Sequence, residues 1–384
     1  MSTLPASASV VVVGGGVMGV STAFHLAEAG VRDVLLLDSG PLGGGSTCRA
    51  AGGVRAMFSD EVNVELGKRS LEAFARFGEH PGQEIDLHRV GYLFLLDRPE
   101  HVEAMTEAVA LQNALGVPSR MIDPQEAQRR SPLISTEGLL AAAWSPTDGH
   151  CTPESVVLGY ATGARRIGAQ LVPHCPVTDV LVRDGTVTGV ATDRGTVRTD
   201  TVVCVAGPWS RSVAGMAGVD LPVTPLRRQV VLTEPVPDLP PDLPMTIDFA
   251  TSFYFHGEGR GLLMGMSDPD EQPGFSLDRS DAWLPRLGDA VARRAPALSD
   301  VGLRSGWAGL YEMTPDHNAV IGESRQVSRF LYATGFSGHG FLMGPAVGEV
   351  VRDLVLRREP PVDVSGLSVE RFLTDAVRPE TNVV

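Results

Sequence analysis

Over the opening segment the apolar residues change their spacing twice. Ser9–Val13 is a short, almost unbroken β-branched run, which predicts a strand buried on both faces. Val17–Ala29 then spaces its apolar residues for a helix, with Gly30 just past its end. Val34–Leu37 is a second apolar strand and runs straight into Asp38. Together these predict one βαβ unit of the dinucleotide-binding kind.

Downstream, the Gly- and Ser-rich stretch Ser39–Gly53 reads as loop. Helical spacing returns over Asp60–Phe77, with Val62, Leu66, Leu71 and Phe74 on one side. Gly91–Leu96 reads as a strand and Glu100–Leu115 as an amphipathic helix. Thr152–Ile167 predicts another helix, with Thr152 at the N-cap and Pro153 at the first helical position. Leu171–Val205 alternates short strands with turns at Asp184-Gly185 and Arg194-Gly195. Arg227–Glu234 and Ser252–Met266 are strand regions on either side of the proline-rich Pro235–Pro244. Phe330–Ala333 is a strand, followed by Gly335–Gly340 and a last helix through about Arg357. Glycine-punctuated βαβ signals thus sit at both ends and near the middle, with longer strands between. That order predicts an α/β chain: a Rossmann-type nucleotide-binding domain assembled from residues 1–85, 146–225 and 310–384. An inserted sheet-rich α+β substrate-binding domain would come from 86–145 and 226–309.

Charge and composition narrow the class. Lys and Arg number 32 against 46 Asp and Glu, so the net charge is 32 − 46 = −14 and a nucleic-acid partner is disfavoured. Cys48, Cys151, Cys175 and Cys204 form no CxxC pair, which argues against a disulfide framework, a zinc knuckle or any other metal site. Met1–Ser9 has no basic, leader-like start, and no apolar run approaches the roughly 20 residues of a spanning helix. A soluble, cytoplasmic chain is the expectation.

The motif with the clearest chemistry is Gly14-x-Gly16-x-x-Gly19. Gly14 allows a tight turn, Gly16 lets the backbone approach a pyrophosphate, and Gly19 lets helix and strand pack closely. The phosphates would rest on the N-terminus of the following helix, whose free N–H groups favour anions. Asp38 stands 38 − 19 = 19 residues past the last glycine, placed to bond a ribose hydroxyl and to repel a 2′-phosphate. These features leave FAD and NAD both open.

Four further segments carry a resemblance: VVVVGGGVMGVSTAFHLAEAG at 10–30, GGGSTCRAAGGVR at 43–55, TVVCVAGPWS at 201–210, and YEMTPDHNAVIGE with ATGFSGHGFLMGPAVGEVV at 311–323 and 333–351. In this order they resemble the D-amino-acid oxidase / sarcosine oxidase superfamily of FAD-dependent amine oxidoreductases. The flavour is that of the sarcosine oxidase, dimethylglycine dehydrogenase and amino-acid dehydrogenase subunit branch. The resemblance implies a Rossmann-type FAD-binding domain, with FAD held by Gly14, Gly16, Val17, Met18, Gly19, Asp38 and Ser39. It also implies contacts from Gly45, Ser46, Thr47, Arg49, Ala50 and Gly52 of the glycine-rich loop, and from Val177 at the adenine. Ala206, Gly207 and Trp209 match a second glycine turn beside the cofactor. Gly309, Gly338, His339, Gly340, Phe341 and Leu342 lie where the family meets the flavin ring. A helix N-terminus there stabilises negative charge on reduced flavin.

Arg55 falls where sarcosine oxidases hold the substrate carboxylate, a task that suits a guanidinium fork; Arg49, in the same loop, is its partner or a decoy. Tyr254 and His256 share one face of a strand that roofs the site in the family, where they either act in catalysis or pack. Tyr311 is a comparable candidate, and His256, His339 or water could assist deprotonation of the amine. Three departures from the family's pattern stand out. Gly309 occupies the place of a flavin-linking cysteine and Arg49 that of a flavin-linking histidine, so the FAD is expected to be non-covalent. Leu342 replaces a carboxylate-binding lysine. Leu263 replaces the lysine that promotes reaction with oxygen.

The resemblance therefore implies oxidation of the C–N bond of an amino acid or a secondary or tertiary amine to an imine, by hydride transfer to flavin N5. A dehydrogenase passing electrons to a quinone or an electron-transfer protein is expected. An oxygen-using oxidase releasing peroxide, or an FAD-binding subunit whose chemistry depends on a partner chain, are the alternatives. A homo-oligomer or a partner subunit is compatible with either. Leu263, Met264, Met266 and Met343 either line the cleft, favouring a bulky amine, or fill the core.

Overall fold

The computed structural model describes residues 4–374 and 377–382, so part of the Met1–Ser9 stretch read for a leader lies outside the described residues. A six-stranded sheet carries the βαβ unit, in the order Val320–Glu323, Phe330–Thr334, Val202–Cys204, Val10–Val13, Val34–Leu37, Gln170–Val172. Its strands are parallel except Val320–Glu323, which pairs antiparallel with Phe330–Thr334. Val10, Val12, Val34 and Leu36 belong to one buried cluster, and Val11, Val13, Leu35 and Leu37 to another. Both faces are covered, which is why these strands read as unbroken apolar runs. The helices Val17–Glu28, Glu61–Ala75, Pro153–Arg166 and Gly340–Val355 cover one face. A three-stranded sheet, Val177–Arg183, Thr186–Thr192 and Gly195–Arg198, covers the other.

The second sheet has eight strands in the order Leu303–Met313, Thr224–Thr233, Gly261–Met266, Phe253–Glu258, Met245–Asp248, Tyr92–Leu96, Ala141–Ser145, Arg120–Ile122. Here the period of two is visible. Leu93 and Leu95 point into one core with Phe253, Phe255 and Met264, while Tyr92, Phe94 and Leu96 point to the opposite face with Met245 and Ile247. The strand Leu303–Met313 runs straight across residue 309, where the sequence reading divided the domains.

Several elements differ from the sequence reading. Ser252–Met266 is a hairpin of two strands, turning at Gly259, whose φ is +58°. Thr152 occupies the N-cap position but its side chain makes no capping hydrogen bond. Met245–Asp248, Ala141–Ser145 and the helix Leu284–Arg294 fall where the residue pattern is indistinct. Met264, Met266 and Met343 are core side chains, and Leu263 borders a different cavity from the one described next. No helix among the described residues is long and apolar enough to cross a membrane.

Candidate active site

One cavity of about 600 Å³ is bordered by strand ends of both large sheets. Its floor is the βαβ turn. Gly14 has φ +116°, and a Cβ there would collide with the Val205 carbonyl oxygen of the neighbouring strand end. A Cβ on Gly19 would run into the Gly14 carbonyl oxygen, so this glycine permits the helix to close on the turn and does not itself border the cavity. Gly16 caps the helix with no side-chain bond, and the first turn carries no acidic residue. The Thr47 hydroxyl accepts from Val17 N at 3.0 Å, pinning the glycine-rich loop to the helix start. Such a helix start, open to a cavity, is suited to a pyrophosphate.

Asp38 accepts from Gly15 N at 2.5 Å and Gly40 N at 2.6 Å, and burial raises its pKa against the lowering effect of those two bonds. Both bonds tie the second strand's end to the turn, beside the place a ribose would take. A second helix N-terminus, Gly340–Val355 with His339 at its cap, also opens onto the cavity. Next to it, half-buried Glu312 accepts from the Thr334 hydroxyl at 2.8 Å and from Gly335 N at 3.0 Å; desolvation raises its pKa. Two uncapped helix starts, a glycine cradle and an acid at the ribose position fit a dinucleotide along the cavity's length.

The chamber beyond the cradle is walled by the large sheet. Tyr254 lies over Gly265, where a Cβ would strike its phenol ring, and Tyr311 covers Gly338 in the same way. Burial raises the pKa of both phenols, so both stay protonated. Arg49 donates to the Ala308 carbonyl at 3.3 Å and its own carbonyl accepts from the Trp307 indole at 2.9 Å; its Nε is buried without a partner. Ser46 donates to the Leu310 carbonyl at 2.6 Å, which fastens the loop to the strand beside the chamber.

Of the residues singled out from the sequence for cofactor, substrate or catalysis, all border this cavity except Gly19 and His256; Leu263, Met264, Met266 and Met343, the cleft candidates, do not border it either. His256 does share a strand face with Tyr254, but the loop backbone passes between them: His256 Nε2 meets the Ala51 carbonyl at 3.0 Å and Nδ1 the Gly257 carbonyl at 2.8 Å. It faces a second cavity with His88, His150 and Leu263. The His150 and His256 ring centres lie 4.3 Å apart with the planes tilted by 34°, and burial lowers the pKa of both, His150 to about 3. No group of three or more His, Cys, Asp or Glu among the described residues could hold a metal.

Arg55 borders the chamber but is 3% exposed and committed to the protein. It donates to the Met57 carbonyl, to the Asn382 carbonyl at 2.5 Å and to His339 Nε2 at 3.1 Å, with its plane 4.1 Å over the Phe58 ring. Because arginine only donates, His339 accepts through Nε2 and is neutral there; burial, then Arg55, holds its pKa well below the ordinary value. Sequence reasoning missed Tyr92, Arg228 and Glu312, which also border the cavity. Tyr92 and Arg228 lie within runs recognised as strands, and only the strand register shows which way they face.

Comparison with known proteins agrees with this geometry. Residues 9–354 match a family described as FAD dependent oxidoreductase (DAO). Mitochondrial dimethylglycine dehydrogenase of Rattus norvegicus is 32% identical over 95% of this chain and 45% of its own length. The chain thus spans less than half of that relative. FAD-dependent oxidoreductase domain-containing protein 1 of Xenopus laevis is 30% identical, covering 99% of this chain and 85% of that protein. The crystal structure of L-proline dehydrogenase from P. horikoshii superposes with a TM-score of 0.91 at 33% identity, covering 98% of this chain and 100% of that one. The chain belongs to the FAD dependent oxidoreductase family.

Proposed function

We propose that this protein oxidises the C–N bond of an amino acid, or of a secondary or tertiary amine, to an imine with non-covalently held FAD, as a dehydrogenase. One observation carries this reading: a dinucleotide cradle and a chamber walled by Arg49, Arg228, Tyr92, Tyr254 and Tyr311 form a single cavity. Thr47, Asp38, Val177 and Ala206 would hold the nucleotide half, and Gly338–Phe341 the flavin edge. When bound, FAD supplies the two-electron acceptor.

The chain's own part is positioning and the exclusion of water. Val230, Met245 and Ile247 make the chamber wall apolar, which strengthens every polar contact inside it. Protonated Tyr254 and Tyr311 donate hydrogen bonds and take no proton. His256 lies outside the chamber and His339 Nε2 is occupied by Arg55, so neither histidine takes the amine's proton, and the amine would enter already neutral, having left its proton in bulk solvent. The acidic residues on the wall, Asp38 and Glu312, already accept backbone amides. A substrate bearing a carboxylate therefore meets guanidinium groups there.

No lysine borders the cavity among the described residues, which supports the dehydrogenase reading over an oxidase. The buried, partnerless Nε of Arg49 favours the second reading, oxygen as acceptor, because a cation there would stabilise superoxide. Anaerobic mixing of the FAD-bound protein with amino acids and amines tests both. Bleaching of the flavin band, with return over minutes in air, supports the dehydrogenase. Fast return with peroxide makes it an oxidase. A flavin that no amine bleaches refutes amine oxidation by this chain alone and turns the search to a partner-dependent subunit.

A further inference from the structure

We infer that Arg228, on the roof of the chamber, anchors the carboxylate of the substrate, and that Arg55 is a positioning residue rather than a substrate ligand. The inference rests on the amine-oxidation reading and adds to it a substrate class: amines that carry a carboxylate.

The sheet register sets where Arg228 points. It pairs with Gly309, and residues paired across strands leave the sheet on the same face. Tyr311 follows two residues after Gly309 on that face. Val230, two residues after Arg228, aligns through Gly265 with Tyr254. One face therefore carries Arg228, Tyr311 and Tyr254 together, and all three border the cavity. Gly309, opposite Arg228, lets the glycine-rich loop approach this face closely, since a Cβ there would stand only 3.1 Å from Arg49 Cβ.

Arg228 is poorly satisfied by the protein. Its neighbour Arg227 pairs with Glu271 at 2.9 Å, whereas Arg228 has no ion pair among the described residues. Its Nη1 donates only to the Arg227 carbonyl at 3.2 Å, and its Nε is buried without a partner. Its guanidinium lies 5.3 Å from the Tyr311 ring centre, and Val230 follows it on the same strand face. A half-buried guanidinium with a buried, unpartnered Nε and no counter-charge among the described residues has donors to spare, and an arriving carboxylate takes up two of them in parallel charge-assisted bonds.

Arg55 is arranged the opposite way. Its donors go to two carbonyl oxygens and His339, and aromatic rings cover it. Drawing it onto a substrate would strip the Asn382 carbonyl and His339 of their donor. It holds the cap of the helix that faces the flavin edge.

The experiment uses FAD-bound parent, Arg228→Gln, Arg228→Lys and Arg55→Lys proteins with acetate and benzoate as probes. Carboxylate binding is followed by its perturbation of the flavin spectrum, a readout that needs no turnover. FAD stoichiometry and melting temperature establish that each variant is folded. R228Q is expected to weaken carboxylate binding about 100-fold, with R228K intermediate, because a charge-assisted pair in an apolar site contributes on that order. With a reducing amino acid, R228Q raises the Kd for reduction while the corresponding decarboxylated amine is little affected. Unchanged carboxylate binding in folded R228Q overturns the inference. So does a loss confined to R55K. A parent that binds carboxylates through Arg228 but is bleached by no amine would refute the amine-oxidation reading while leaving the anchor in place.

Discussion

Glu380 is the residue on which the C-terminal segment hangs, and removing it has a calculable effect. Its carboxylate is 1% exposed in its residue and accepts from Ser59 N at 2.9 Å, Ser59 Oγ at 2.6 Å, Asp60 N at 3.2 Å, Asn63 Nδ2 at 2.9 Å and Asn382 N at 2.9 Å. Four of these donors come from Ser59, Asp60 and Asn63, at or just before the start of the helix Glu61–Ala75, so the charge also faces a helix N-terminus. In Glu380→Ala, the Asn382 amide leaves with the tail and Ser59 Oγ can turn to water. The Ser59 and Asp60 amides and Asn63 lose a charged acceptor, at about 1.5 kcal/mol each. Relief of repulsion with Asp60, whose pKa is raised by burial and further by Glu380, returns about 1 kcal/mol. The net loss is about 3.5 kcal/mol, a fall in Tm of about 4 °C for a chain of 384 residues. The assay is thermal unfolding of FAD-bound parent, E380A and E380Q by circular dichroism. E380Q, which keeps the shape but not the charge, should lose about half as much. E380A melting within 1 °C of the parent refutes the account of the tail as a structural strap.

Gly338→Ala puts a Cβ into the Tyr311 ring at φ +99°, so the variant should bind FAD at least tenfold more weakly, measured by quenching of flavin fluorescence. Burial pushes Asp148 up to about 7, and one of its oxygens, Oδ2, has no partner. Its folded pKa lies above the unfolded value, so its contribution is full below about pH 4 and is lost as pH rises towards 7. Asp148→Asn should therefore come closest to the parent at about pH 4 and gain on it as pH rises to 8; equal Tm differences at both pH values would dismiss the buried-acid account. His150 works in the opposite sense: its folded pKa of about 3 lies below the unfolded value of about 6.5, so stability is lost as pH falls below 6.5. The two groups oppose each other between about pH 4 and 6.5, so His150→Gln is compared with the parent at each pH. The parent's advantage should shrink by up to about 1.4 kcal/mol per pH unit on acidification, and a constant difference in urea unfolding would contradict it.

How much of this was written locally in the sequence differs from element to element. The turn Gly14–Gly19 and Asp38 were legible because strand, turn, helix and strand follow one another within one βαβ unit, where spacing alone fixes the contacts. The loop Gly45–Arg49 could be placed beside the cofactor only through its resemblance to a family, since glycine and serine by themselves say no more than turn. The pairing of Tyr254 with His256 shows the limit of periodicity. Alternation put both on one face correctly, but the backbone at Ala51 divides that face into two cavities, and no pattern in either strand encodes that division.

The sequence by itself thus determined the nucleotide-binding frame, because buried parallel strands must be apolar throughout and a phosphate-binding turn must be glycine. The chamber was decided by the tertiary structure. Tyr92, Arg228, Tyr254 and Tyr311 are far apart in sequence and meet only through the order and register of an eight-stranded sheet, with Arg55 reaching them from the loop after Gly53–Val54. Whether an arginine is a ligand or a strut was decided there too. Arg55 and Arg228 are the same residue type at the same cavity, and what separates them is that the fold gives one its acceptors, including a carbonyl from the far end of the chain, and leaves the other short of them.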